Sequence, residues 1–490
     1  MEKNKLLSIV QAALLAFILV LGFQFFFGKN EERKNVKEAL KQEHVVKVDI
    51  PESREIGKVV KVKTPLYSAE ISTVNGKLLS LTVKKYNAQL VSEFSKKMGI
   101  FPLMTISTDE KLSKELANIS LTPSMKKVLV KDKAVILKLE GSLQDGRKFV
   151  KELTFYPDSY RIDVKTELKG EKLITLIGPD IRVNEAHTSR MGHIGPVVET
   201  EKGIERLEPQ EIKTPISFKN VKWAGEEDKY FLMAIKDTDF PVSIENINSH
   251  TVIKGFIGSG IFYGGPKELN QLESLGMDKA IDFGIFGFLA KPFLKFFLFL
   301  HQFIPNWGLV IIVLTILIKI ILHPLTHKSF ESMKKMQELA PKLEEIKNKY
   351  KDNPQKLNEE MMKLYKEAGV NPMGGCLPIL LQIPIFFALY EIFLNAVELK
   401  GASFLWVPDL SMPDSTFIMP ILMGASMILQ QKLTPTTNPQ QEKIFMIMAV
   451  VFTFMFASFP AGLVLYWLTN NIITAIQNFI INRMLHRESN

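Results

Sequence analysis

The sequence predicts a polytopic α-helical membrane protein of six spans, with a large extracytoplasmic all-β domain and a cytoplasmic helical hairpin. Three observations predict it. Apolar stretches occupy residues 6–27 and recur through 283–482, whereas 29–280 is polar and mixed. Strand formers and turn pairs fill the region from about 61 to 265. Lysines crowd one loop, 326–371, which holds ten, while 396–416 holds only Lys400. Loops rich in positive charge stay on the cytoplasmic side.

The elements follow in order. Leu6–Phe27 is continuous and apolar, follows Lys3 and Lys5, and lacks a small-residue cleavage site. It reads as an uncleaved transmembrane anchor (1–28) with a cytoplasmic N-terminus. Residues 29–60 are charged, without apolar periodicity, and read as a linker. Val135–Leu139, Phe149–Phe155 and Tyr160–Val164 carry strand signals, and Asn75-Gly76 and Asp145-Gly146 are hairpin turns. Residues 61–280 therefore form a β-sandwich outside the cytoplasm. The Gly258–Gly265 stretch lacks a following Gly-Lys-Ser/Thr, so it reads as a turn and not a phosphate loop.

Residues 281–303 are apolar with Lys291 and Lys295 on one helical face, as in a helix lying in the membrane interface. The second span is 304–325, ended by His323-Pro324. In 326–371, Met336, Leu339, Leu343, Ile346 and Tyr350, then Leu357, Met361, Leu364 and Ala368, recur at helical seam spacing around Lys351–Pro354. That is an antiparallel hairpin, with Pro341 restarting its first arm. Its Met333, Met336, Met361 and Met362 are candidate docking contacts. The remaining spans are 372–396, 417–432, 443–459 and 461–483, the last two joined by a tight Pro460-Ala461-Gly462 turn. Residues 484–490 form a short cytoplasmic tail.

Lys319 is the most informative residue. It lies inside the apolar run Leu309–Leu322. A lysine at the centre of a membrane helix costs roughly 2.5–3.5 kcal/mol. Thr315, Lys319 and His323 fall at i, i+4 and i+8, on one stripe. On the last helix, Trp467, Asn470, Asn471, Thr474, Gln477, Asn478 and Asn482 share an arc of about 140°. Gln382, Ser426 and Gln430, with Tyr466, extend the polar supply. These residues together predict a water-accessible groove that bears one positive charge. Two plainer explanations stay open. Lys319 is close enough to Pro324 to snorkel to headgroups, and the amides are able to bond one helix to another.

The +9 charge fits anionic lipid headgroups or ribosomal RNA, and no motif supports DNA binding. The lone Cys376 excludes an intrachain disulfide. There is no HExxH, GxSxG or P-loop, so neither an enzyme, a nucleotide, a cofactor nor a metal is expected.

Longer motifs now carry weight. Asn371-Pro372-Met373-Gly374-Gly375-Cys376-Leu377-Pro378, running on to Gln382-Ile383-Pro384-Ile385-Phe386, resembles a segment of the YidC/Oxa/Alb membrane-protein insertases. So do His323-Pro324-Leu325-Thr326, Met361-Met362-Lys363-Leu364-Tyr365, Val397-Glu398-Leu399, Pro420-Ile421-Leu422-Met423-Gly424, Gln430-Gln431-Lys432, Pro435-Thr436-Thr437 and Phe459-Pro460-Ala461-Gly462-Leu463-Val464-Leu465-Tyr466-Trp467. Residues 285–487 share the resemblance densely. Val221-Lys222-Trp223-Ala224-Gly225 and Asp228-Lys229-Tyr230-Phe231 are similar to the external domain of the Gram-negative branch, which implies a β-supersandwich like that of sugar mutarotases. The resemblance implies an insertase core of five helices. It also implies a chaperone for nascent membrane proteins, acting alone or beside the Sec translocon, in contact with ribosomes and membrane lipids. The family usually has arginine where this chain has Lys319. A small-solute transporter and a sugar-binding envelope protein are the rival classes. Neither inverted repeats nor an acid/base pair supports them.

Overall fold

The computed structural model describes residues 48–181, 192–370, 377–434 and 439–488. The expected anchor (1–28), most of the linker and the Asn371–Cys376 motif lie outside these residues. The chain divides into two compact units, 1–282 and 283–490.

The first unit is built on two sheets. One has five strands in the order Ala88–Gln89, Leu78–Val83, Tyr67–Ser72, Val59–Lys63 and Lys127–Leu129. The other is larger and mainly antiparallel. Its central strands are Ile216–Glu227, Phe231–Ile247, Ser259–Pro266, Arg161–Leu168, Lys148–Phe155 and Val135–Ser142. Alternation dictates this: Lys148–Phe155 buries Phe149, Lys151, Leu153 and Phe155 on one face. Asn75 and Gly76, at φ 61° and 67°, turn the chain between two strands of the smaller sheet. Gly146 at φ 83° does the same after Val135–Ser142.

The sandwich corrects two expectations. Gly258–Gly265 is not a turn, because Ser259–Pro266 is an internal strand. Its glycines serve close packing. A Cβ on Gly264 would stand 2.3 Å from Leu81 of the other sheet, and one on Gly265 would stand 2.6 Å from the Tyr160 ring. The linker also ends earlier than residue 60. Val48 lies in a core cluster with Ile100, Met104, Ile106 and Val252. Lys254 Nζ donates to the Val48 carbonyl at 2.5 Å, and Lys77 Nζ donates to Ser53 O and Oγ at 2.5 and 2.8 Å. Charge composition hid a segment that pairs through its backbone.

Buried charge also fastens the far end of this unit. Glu227 lies 2.7 Å from Arg206 Nε and 2.8 Å from Lys267 Nζ. Arg206 Nη2 donates to the Ala280 carbonyl at 3.1 Å. Burial pushes the Glu227 carboxyl up, but Arg206, Lys267 and His193 outweigh it and hold it down at about 2.

The second unit is helical. Its described helices, numbered here in chain order, are α1 (Gly287–Phe303), α2 (Trp307–Glu338), α3 (Ala340–Lys349), α4 (Pro354–Glu367), α5 (Leu377–Asn395), α6 (Ile418–Lys432), α7 (Pro439–Phe456) and α8 (Ala461–Glu488). By length and composition, α2 is the one helix among the described residues that is able to cross a membrane unaided. Leu381–Asn395 and Ile444–Phe456 are shorter apolar stretches. The Asn306 side chain caps α2 by accepting from Leu309 N at 3.1 Å. Contrary to the sequence expectation, Pro324 does not end this helix, which runs to Glu338. The Thr326 hydroxyl donates to Leu322 O at 3.1 Å on the following turn. Pro341 lies in the first turn of α3, where no helical N–H is required. The last helix also outruns its expected end at 483, so much of the tail is helical.

The α1 helix buries Ala290, Leu294 and Phe297 and exposes Phe288, Phe299 and Phe303. The 396–416 loop is pinned to the start of α8, where Ala461 N donates to Met412 O and Gly462 N to Leu410 O at 2.8 and 2.9 Å. At the start of α2, Gly308 makes room for Phe404, whose ring would lie 2.1 Å from a Cβ there.

Candidate functional site

The site is built where α2 and α8 meet. Lys319 is 9% exposed. Its Nζ lies 2.9 Å from Thr474 Oγ1, and that hydroxyl donates to Asn470 O at 2.7 Å. No carboxylate stands within ion-pair distance of Lys319 among the described residues. An ammonium carries three donors, so one neutral acceptor leaves it unsaturated.

The last-helix polar arc does not act as one surface. Thr474 and Gln477 face α2, with Gln477 Nε2 3.3 Å from His323 Nδ1. Asn471 and Asn478 instead donate to Ser426 within α6 and to Thr434 just beyond it, both at 3.0 Å. This second pair is interhelical bonding, the plainer of the two explanations for the amides. Both ladders ascend together in residue number, so α2 and α6 each run parallel to α8. Thr434 was missed in the sequence. Its signal was the match between amides seven apart on one helix and hydroxyls eight apart on another.

Other candidates are placed nearby but apart. The Thr315 hydroxyl donates back to Ile311 O at 2.7 Å. Gln382 Nε2 donates to the Tyr466 hydroxyl across α5 and α8. Trp467 is packed among aromatics, edge-to-face with Phe386 at 4.9 Å and tilted against Phe456 at 5.1 Å between ring centroids. Gln430 contributes its carbonyl to the Thr434 hydroxyl at 2.9 Å. Asn470 contributes its carbonyl to Thr474. In the hairpin, Met362 is exposed, while Met333, Met336 and Met361 are half-buried. The α6–α7 pair also borders a cavity of about 240 Å³ lined by Ile421, Gly424, Ile428, Ala449, Thr453 and Phe454. Its lining is apolar and does not include Lys319. No group of three or more metal-ligating side chains occurs among the described residues. Chemically, the seam offers a cation and neutral hydrogen-bonding groups, which suits recognition of an anionic group.

The fold defines a class: a β-sandwich unit followed by a helical unit that carries a long apolar helix. The family described as "60Kd inner membrane protein" matches residues 299–488, and the "YidC periplasmic domain" family matches 59–296. The Aquifex aeolicus protein named "Membrane protein insertase YidC" is 35% identical, covering 97% of this chain and 95% of that one. A Campylobacter jejuni protein of the same name is 38% identical, covering 88% and 84%. The chain belongs to the YidC family of membrane protein insertases, inner-membrane proteins with a periplasmic domain. Among solved structures, "Active YidC insertase crystal structure with the first transmembrane domain resolved" has 19% identity and a TM-score of 0.39. It covers 86% of this chain and 95% of that one. A galactose mutarotase-like protein from Lactobacillus casei has 10% identity and a TM-score of 0.30, covering 40% and 87%. Membership rests on the sequence relatives.

Proposed function

We propose that the chain inserts membrane proteins by drawing acidic segments of an incoming polypeptide to Lys319. One observation carries this reading: the ammonium is buried in a long apolar helix, bonded to one hydroxyl, with no carboxylate to neutralise it among the described residues. An unsaturated cation of this kind favours an anionic guest. Residues 1–28 and helices α2, α5, α6, α7 and α8 make six spans, with both termini cytoplasmic. Parallel α2, α6 and α8 support that alternation. Thr315, Gln382, Gln430, Tyr466, Trp467, Asn470, Asn471, Thr474 and Gln477 line or support a groove that hydrates the guest. The apolar span of the guest then leaves sideways into lipid, where burial drives the step. A membrane potential positive outside favours outward movement of acidic tails.

The hairpin, with Met333, Met336, Met361 and Met362, receives the nascent chain. The basic cytoplasmic surface contacts ribosomes and anionic lipids, and the chain acts alone or with the Sec translocon. The test is insertion into proteoliposomes. Lys319→Ala should lose clients with acidic tails and Lys319→Arg should keep them. Full activity of the alanine form removes Lys319 from the mechanism.

A further inference from the structure

Lys319 is not the only polar rung on its seam. One turn further along α2, His323 meets Gln477 of α8 at 3.3 Å, as Lys319 meets Thr474 at 2.9 Å. With Gln477 Nε2 donating to Nδ1, a neutral imidazole carries its proton on Nε2. His323 is exposed, and no described residue takes a hydrogen bond from that Nε2–H. Gln477 Oε1 is shut away from solvent and accepts from no donor among the described residues. The rung therefore presents one open donor, the exposed His323 Nε2–H, on a ring held by the Gln477 amide.

We infer that His323 and Gln477 form a second client-binding rung. The His323 N–H takes a second acidic side chain of the incoming segment, and Gln477 Nε2, donating to Nδ1, holds the ring with that N–H outward. The inference rests on the reading of Lys319 as the first contact. Four helical residues separate the rungs by about 6 Å. An extended guest advances about 3.3 Å per residue. Acidic residues two apart in the guest therefore match both rungs, whereas adjacent ones do not.

The test uses the full-length protein in proteoliposomes and two clients of equal charge, with acidic pairs at i, i+2 or at i, i+1. Wild type should insert the first several-fold better. That ratio should fall to about one in His323→Ala, fall in Gln477→Leu, and persist in His323→Arg. Each ratio is taken within one preparation, so a reduced folded fraction cancels. Indifference of wild type to spacing, or an undiminished ratio in His323→Ala, overturns the rung. Wild-type insertion of every client by Lys319→Ala overturns the first contact instead, a separate outcome.

Discussion

Lys151 in the β unit and Lys319 in the helical unit are both buried and, among the described residues, without a carboxylate partner, yet their surroundings differ. Lys151 is 0% exposed and donates to the carbonyls of Asn75 and Leu103, at 3.0 and 2.5 Å. It ties a hairpin turn to a loop and is closed to any guest. Lys319 has one hydroxyl. Burial alone therefore does not decide whether a lysine's donors are already used. What separates the two is how many of the three ammonium donors the protein already uses.

Four measurements break or sharpen that contrast. The first measurement concerns pH. Burial lowers the Lys151 ammonium from its ordinary 10.5 to about 7. Between those values the unfolded chain holds a proton that the folded chain has released. Stability then rises with pH, by at most about 1.4 kcal/mol per unit. Lys151→Met should flatten the rise. Lys77, lowered by burial to about 8, leaves a smaller slope of the same sign. Urea unfolding in detergent at pH 7 and pH 9, followed by fluorescence of buried Trp223, reads it; equal slopes in both proteins would refute the assignment.

Next, Glu227→Ala strands Arg206 and Lys267 and should cost about 3–5 kcal/mol in the same assay at neutral pH. A loss under 1 kcal/mol would show that the pair is hydrated.

Third, Lys319→Ala should weaken insertion of an acidic-tailed client by roughly 10–100-fold, the worth of one hydrogen bond to a charged group. Its thermal unfolding midpoint should hold or rise, since a desolvated cation is removed. A lower midpoint would make Lys319 a structural tie like Lys151.

The smallest effect is Asn471→Ala, which removes the bond to Ser426 and should cost about 0.6–1.7 kcal/mol in thermal unfolding. No change would mean that the α6–α8 contact rests on packing alone.

Much of this was legible in the sequence. Alternation and the Asn75-Gly76 and Asp145-Gly146 turns announced the sandwich, because period and turn chemistry are local. Lys319 announced itself by its apolar setting. The misreadings share a cause. Pro324 looks like a stop, yet the helix resumes through residues beyond it. Gly258–Gly265 looks like a turn, yet its glycines answer to Leu81 and Tyr160, distant in sequence. Residues 48–58 look like a charged linker, yet Lys77 and Lys254 capture their backbone.

By itself, the sequence determined that a β domain precedes an apolar helical region, and that one lysine sits among aliphatic residues. Those follow from composition and periodicity, which any local segment carries. Only the tertiary structure decided that the last-helix amides divide, Thr474 and Gln477 toward Lys319 and His323, Asn471 and Asn478 toward Ser426 and Thr434. An arc of about 140° is wide enough to face two neighbours, and which side chain meets which depends on the rotation and register of three helices.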